Sequence, residues 1–160
     1  VGLLEICDQF LEHVPQYFGK EESDLIIYYC WPLLKSEDLA VKNSSYVVVC
    51  RHIAVLDTQQ KVILQVYNSL LHSHQQERKD QVLKALNILV PALPEKLDQE
   101  GLRIAINNTN RVMFEEGNSV PQLAHVWNIV VNHPDLFFDR RAQLARYMIN
   151  SLNRLGLPPN

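Results

Sequence analysis

Glycine is scarce in this sequence: 5 residues, scattered, with no two placed to form a Walker or dinucleotide loop. Nothing therefore cradles a phosphate. No apolar run reaches the roughly 18 residues that a membrane helix needs. Net charge is nearly absent, at −3 over 160 residues, so no overall field draws the chain to nucleic acid or anionic lipid. Cysteine is sparse and odd in number: Cys7, Cys30 and Cys50 are spaced too irregularly for a disulfide framework or a zinc knuckle. They read as small buried hydrophobes in a reducing compartment.

What is present is ordinary globular composition, 47% apolar and 21% charged. Val1 stands where a start methionine would, and Gly156-Leu-Pro-Pro-Asn160 makes no obvious end structure. The sequence thus reads as an internal stretch of a longer chain. Two glycosylation triplets, Asn43-Ser-Ser45 and Asn107-Asn-Thr109, fall in stretches that read as helix and are discounted.

Apolar residues recur at helical spacing almost throughout. Leu3, Leu4, Cys7, Phe10, Leu11 and Val14 make one stripe, closed by Pro15. Leu25, Ile26, Tyr29 and Leu33 make the next, with Pro32 predicting a kink or stop near Trp31. A third helix is expected from about Leu39 to Ala54. Within it Tyr46-Val-Val-Val-Cys50 has strand propensity, but a lone strand would have no partner. Thr58 is the expected N-cap of a fourth helix carrying Val62, Ile63, Val66, Tyr67, Leu70 and Leu71.

Beyond the polar run from Ser73 to Asp80, the stripe Val82, Leu83, Leu86, Leu89, Val90 is expected to close at Pro91 and Pro94. Leu102, Ala105, Ile106, Thr109, Val112 and Met113 form a weaker stripe that Gly117 stops. Ser119-Val-Pro-Gln122 reads as a capping box with proline just inside. It opens Leu123, Val126, Trp127, Val130 and Val131. A last helix from Phe138 through Arg141, Leu144, Ala145, Met148 and Leu152 to Leu155 ends at Gly156 and Pro158. Grouped in pairs, these helices begin near Leu3, Leu39, Glu77 and Ser119, a period of roughly 40 residues. The expected fold is all-α: a solenoid of about four antiparallel pairs of the HEAT or armadillo kind. It runs as one continuous segment over residues 1–160, a fragment of a larger superhelix.

Chemistry is hard to place on it. His72 and His74 lie two apart and diverge on a helix. His125 and His133 share a face without a third ligand, and His13 and His52 stand alone. No G-x-S-x-G occurs, and the cysteines lie in or beside apolar stripes where a thiol is inert. Acidic neighbours such as Glu21-Glu22, Glu37-Asp38 and Glu115-Glu116 do not face each other on a helix. No catalytic, cofactor or metal residue is assigned. The last helix carries Arg140, Arg141, Arg146 and Arg154. Of these, Arg146 and Arg154 are the candidate partner-binding residues, on a basic face suited to acidic segments. No aromatics interleave with them as single-strand binding requires. Trp31 and Trp127 sit on apolar stripes and read as core.

Five strings carry a resemblance. They are Lys61-Val-Ile-Leu-Gln-Val-Tyr67, Asn87-Ile-Leu-Val-Pro-Ala-Leu-Pro-Glu-Lys96, Glu115-Glu-Gly-Asn-Ser-Val-Pro-Gln-Leu123, His133-Pro-Asp-Leu-Phe-Phe138 and Asn150-Ser-Leu-Asn-Arg-Leu-Gly-Leu-Pro-Pro159. In that order the chain resembles the TRRAP family, the transformation/transcription domain-associated proteins. It departs at Asn108, where the family commonly has an aromatic residue, and at Asn118, where it has histidine. The resemblance implies a very large pseudokinase of the phosphatidylinositol-3-kinase-related class, built mostly of HEAT-like repeat. It further implies a nuclear, non-catalytic scaffold without cofactors, in SAGA-type and MYST-type histone acetyltransferase complexes. The implied partners are subunits of those complexes and transcriptional activators, with no direct nucleic acid, membrane or small-molecule substrate. The family places no site residue on this stretch. A karyopherin-like transport adaptor, or a helical segment of an active kinase of the same class, would share the fold.

Overall fold

The computed structural model describes residues 1–73, 79–115 and 119–154, of which 152–154 by backbone alone. The chain runs α1 (Gly2–His13), α2 (Lys20–Leu33), α3 (Leu39–Val55), α4 (Gln60–Leu71), α5 (Lys79–Lys96), α6 (Gln99–Glu115), α7 (Val120–Asn132), the single turn α8 (Pro134–Phe137) and α9 (Arg141–Arg154). Short 3-10 turns occupy Pro15–Tyr17 and Phe138–Arg140. Among the described residues there is no strand.

The helices form two layers. In the first, α1 packs on α3, α3 on α5, and α5 on α8; in the second, α4 packs on α6 and α6 on α9. Contacts of α2 with α3, α4 with α5 and α6 with α7 join the layers. The pairs α1/α2, α3/α4, α5/α6 and α7/α9 begin at Gly2, Leu39, Lys79 and Val120, matching the period of roughly 40 residues read from the sequence. This is the helix-pair solenoid that the apolar stripes predict.

α3 is the axis of the stack. All eight residues from Asn43 to Cys50 are buried, as are His52 and Ile53, because α1, α2, α4 and α5 each pack against it. A helix surrounded on every side needs no polar face. That explains the valine run: packing outweighs the strand preference of β-branched residues. Asp38 caps it, its carboxylate accepting from the Ala40 and Val41 amides at 2.8 and 3.3 Å. The triplet residues Asn43 and Ser45 are buried in this helix, and Thr109 is buried in α6.

Several local expectations are corrected. Thr58 does not cap α4, whose N-cap is Gln59 with no side-chain bond; the Thr58 hydroxyl turns instead to His52 Nδ1 at 3.3 Å. Pro91 and Pro94 do not close α5, which continues to Lys96. Both prolines are exposed, so their rings lie on the solvent side and do not disturb the packed face. Leu86, Leu89, Val90 and Leu93 hold the buried side in place. Pro32 agrees better, since α2 ends one residue later at Leu33.

At α7 the Ser119 hydroxyl accepts from the Gln122 amide at 3.5 Å, but the reciprocal half of the box is absent. Gln122 Nε2 reaches across to donate to the Leu71 carbonyl at 2.7 Å, where a buried acceptor needs a partner more than an exposed amide does. The last helix does not start at Phe138, which lies in the 3-10 turn, 58% exposed, while Phe137 is buried. The predicted stops at Gly117, Gly156 and Pro158, with His74, Glu77, Glu116, Asn118 and Leu155, lie outside the described residues.

Candidate protein-interaction surfaces

Four of the described histidines make structural hydrogen bonds, and His13 lies exposed at the end of α1. His52, almost fully buried, is held between two hydroxyls: Ser23 Oγ on α2 lies 2.8 Å from Nε2, and Thr58 Oγ1 lies 3.3 Å from Nδ1. Burial pushes its pKa below the usual 6.5. The Ser23 bond and the Asp24 charge push upward, and the Lys96 charge adds to the downward side. It sits in a cleft of about 620 Å3 between the first turn of α2 and the α3–α4 turn, with Lys20, Asp24 and Asp57 along it. His125 Nε2 bonds the Leu70 carbonyl at 2.8 Å, His133 Nε2 bonds Asn87 Oδ1 at 3.2 Å, and His72 Nδ1 bonds the Asn68 carbonyl at 2.8 Å. Burial lowers the His133 pKa also. Among the described residues no three His, Cys, Asp or Glu side chains gather as metal ligands.

The three cysteines are free thiols. Desolvation raises all of them: Cys30 to about 11, Cys50 still higher, and Cys7 with help from the neighbouring Asp8 charge. A thiol held protonated is a poor nucleophile, in keeping with the inert core role read from the sequence. Trp31 and Trp127 pack, half-buried, against the core.

What the sequence did not single out is a set of polar ties between repeats. Asp8 is 2% exposed on α1, and its Oδ1 accepts from Arg51 Nε on α3 at 3.0 Å. Its Oδ2 meets Lys84 Nζ on α5 at 2.6 Å, and Glu12 adds a second carboxylate to Arg51 at 3.1 Å. One buried carboxylate thereby joins the first helices of three successive pairs. In the second layer the Tyr67 hydroxyl on α4 meets Thr109 Oγ1 on α6 at 2.7 Å, both buried. Lys96 Nζ caps the end of α3 by donating to the Leu56 carbonyl at 3.0 Å. Gln122 and His125 of α7 close the carbonyls at the end of α4. The one available signal was Asp8, an acid inside the stripe Leu4, Cys7, Leu11.

The outer surfaces are of two kinds. Arg146 is exposed on α9, as expected; Arg154 lies in the last turn of that helix, its side chain outside the described residues. Arg141 is exposed too, but its guanidinium lies 4.1 Å over the Phe138 ring and donates to the Phe138 carbonyl at 2.9 Å. The second kind is apolar. On α1, Leu3, Ile6 and Phe10 turn away from α3 at 84%, 54% and 55% exposure. Leu25, Tyr28 and Tyr29 do the same on α2, the tyrosine rings edge to face at 5.2 Å. At the other end Val120 and Val131 of α7 and Ile149 of α9 lie open. The α1–α2 pair thus shows a largely apolar ridge in place of the polar outer face that caps a solenoid, whereas on α9 Arg141, Gln143, Arg146 and Asn150 are exposed among the apolar residues.

Two layers of paired helices on a period of about 40 residues, tied pair to pair, define a HEAT-type helical repeat. No solved structure matches the chain. Its sequence matches the Tra1 HEAT repeat ring region over residues 1–160, and the chain belongs to that family. It is 30% identical over its whole length to the human transformation/transcription domain-associated protein. Identity is 33% over 99% of the chain to the Saccharomyces cerevisiae SAGA complex/NuA4 acetyltransferase complex subunit TRA1. It is 35% over 84% to a probable transcription-associated protein 1 of Dictyostelium discoideum. The chain spans about 4% of the length of the human and yeast relatives.

Proposed function

We propose that this chain is a non-catalytic arc of a much longer helical scaffold, a co-activator subunit of histone acetyltransferase complexes in the nucleus. The carrying observation is the apolar ridge of Leu3, Ile6, Phe10, Leu25, Tyr28 and Tyr29 on α1 and α2, which a free-standing domain would leave wet and a continuing stack would cover. The family match and the yeast relative's name as a SAGA and NuA4 subunit support the same reading. The polar ties keep the pairs in register, so the segment offers partners a fixed, ridged surface. Acidic segments of activators lie along the basic face of α9, with Arg146 and Arg154 as the contacts.

Cross-linking of the full-length protein purified from nuclei tests this. The expected result is lysines of this segment, such as Lys35 and Lys61, linked to subunits of an acetyltransferase complex. Purification with import cargo and no acetyltransferase subunit would overturn it. For the basic face, Arg146→Glu is expected to weaken capture of an acidic activator segment by about tenfold, an effect of the size expected for a charge reversal at an interface.

A further inference from the structure

Between the second and third helix pairs the turns within the pairs are knitted together. Lys96 Nζ donates to the Leu56 carbonyl at 3.0 Å, and the Asp98 amide donates to Gln60 Oε1 at 3.4 Å. Gly101 comes so close that a Cβ there would stand 2.7 Å from that same oxygen. Between the first and second pairs the corresponding place, where the α1–α2 turn meets the α3–α4 turn, is open. It is the His52 cleft of about 620 Å3. Both walls belong to this chain, so its shape does not depend on what precedes α1. Phe18, Ile27, Leu56 and Val62 give it apolar walls. Asp24 and Asp57 are exposed along it, and among the described residues neither carboxylate has a hydrogen bond or an ion pair.

We propose that this cleft receives an arginine side chain from an extended segment of a partner protein. The apolar walls fit the aliphatic stem, and the two unpartnered carboxylates fit the guanidinium. The hydroxyls of Ser23 and Thr58, which also line the cleft, add acceptors. Neutral His52 offers one ring N–H and one lone pair, one to each of them. In either tautomer the hydroxyl that donates to the ring keeps its lone pairs, and the one that accepts the ring N–H has a lone pair left. Arginine carries five donors in a planar fork and no acceptor, so it matches this set better than the point charge of lysine. The positive groups nearby do not make an anion site. Lys96 is held by the Leu56 carbonyl. Glu22 already closes the start of α2, its Oε2 accepting from the Gly19 amide at 2.9 Å. Lys20, exposed along the cleft, opposes an incoming cation. The inference stands independently of which complex the chain serves and of the basic face of α9.

Photo-cross-linking of the full-length protein that carries this segment provides the test. The probe is a hexapeptide of alternating alanine and arginine with a benzophenone at one end. Labelling is expected to concentrate on residues 18–27 and 56–62, which hold the cleft. Matched peptides with glutamate or leucine in place of arginine should leave that region unlabelled. Asp24→Asn combined with Asp57→Asn is expected to cut labelling there by about tenfold, the scale of one hydrogen bond to a charged group. Lys20→Ala should raise it by roughly threefold, because an opposing exposed charge is gone. Among the described residues none of these three side chains has a bond to lose, and limited proteolysis of the segment checks that the variants stay folded. The peptide comparison and the Lys20→Ala arm stand without the double variant. Labelling spread with no preference for the cleft, equal labelling by the glutamate or leucine peptide, or a folded double variant labelled like the wild type would each overturn the proposal.

Discussion

Lys84 Nζ lies 2.6 Å from Asp8 Oδ2, although the two residues stand 76 apart in sequence. Between them, Arg51 holds the other carboxylate oxygen, so three helices converge on one buried acid. Removing that acid leaves two cations facing each other. Asp8→Ala is expected to destabilise the fold by about 2–3 kcal/mol, below the 3–5 of a fully buried pair because Lys84 remains half in water and Arg51 keeps Glu12. Lys84→Ala should cost under about 1 kcal/mol. Urea unfolding of both variants measures this, and equal losses would show that the carboxylate is not the hub.

Leu86 is 1% exposed on α5, the helix packed against α3 and α4. Leu86→Ala opens a cavity in a junction that cannot collapse without moving two pairs. The expected loss is about 2–5 kcal/mol. An unchanged melting temperature would mean that the pairs do not depend on each other as the packing implies.

His52 makes stability depend on pH. In the unfolded chain its imidazole takes a proton near pH 6.5; in the fold, burial delays that to lower pH. Below about 6.5 the unfolded state binds more protons, so stability falls as pH falls, until the folded imidazole titrates too. His133 contributes in the same direction. Lys20, Asp24, Asp57 and Lys96 are charged groups around the His52 site. The urea midpoint is expected to drop between about pH 7 and pH 5.5, and His52→Gln should flatten part of the slope. A midpoint that rises over this range contradicts the assignment.

Tyr67→Phe removes one hydroxyl from the α4–α6 junction. Thr109 keeps a bond, since its Oγ1 also lies 3.1 Å from the Ala105 carbonyl. The loss should therefore be modest, about 1–1.5 kcal/mol. Hydrogen exchange provides the check, with α4 and α6 amides expected to lose protection before those of α3.

The fold was largely legible because solenoid helices bury one stripe each, and a stripe at i, i+3, i+4, i+7 needs no partner to be seen. Even α3, which lacks a polar side, was recoverable by asking what a lone strand at Tyr46-Val-Val-Val-Cys50 would pair with. What failed was local. Thr58 has a capping residue's chemistry, but the buried His52 claims its hydroxyl. Pro91 and Pro94 are helix breakers by type, yet both rings fall on the exposed side, clear of the packed face. Surfaces were less readable than stripes. The exposure of Arg146 could be expected from an arginine-rich last helix, whereas Arg51 and Lys84 gave no sign that one carboxylate would gather them.

Those two outward prolines bear on how such a stack behaves under force. Each removes one backbone hydrogen bond from α5 while its ring stays on the solvent side, so the ladder is weakened in a helix whose apolar face remains packed. A row of pairs that bows will therefore flex first along this seam, and elastically, since nothing in the packed interior has to separate. α5 is in this sense a leaf spring set among stiffer beams, and a superhelix made of such units can change its curvature without unfolding.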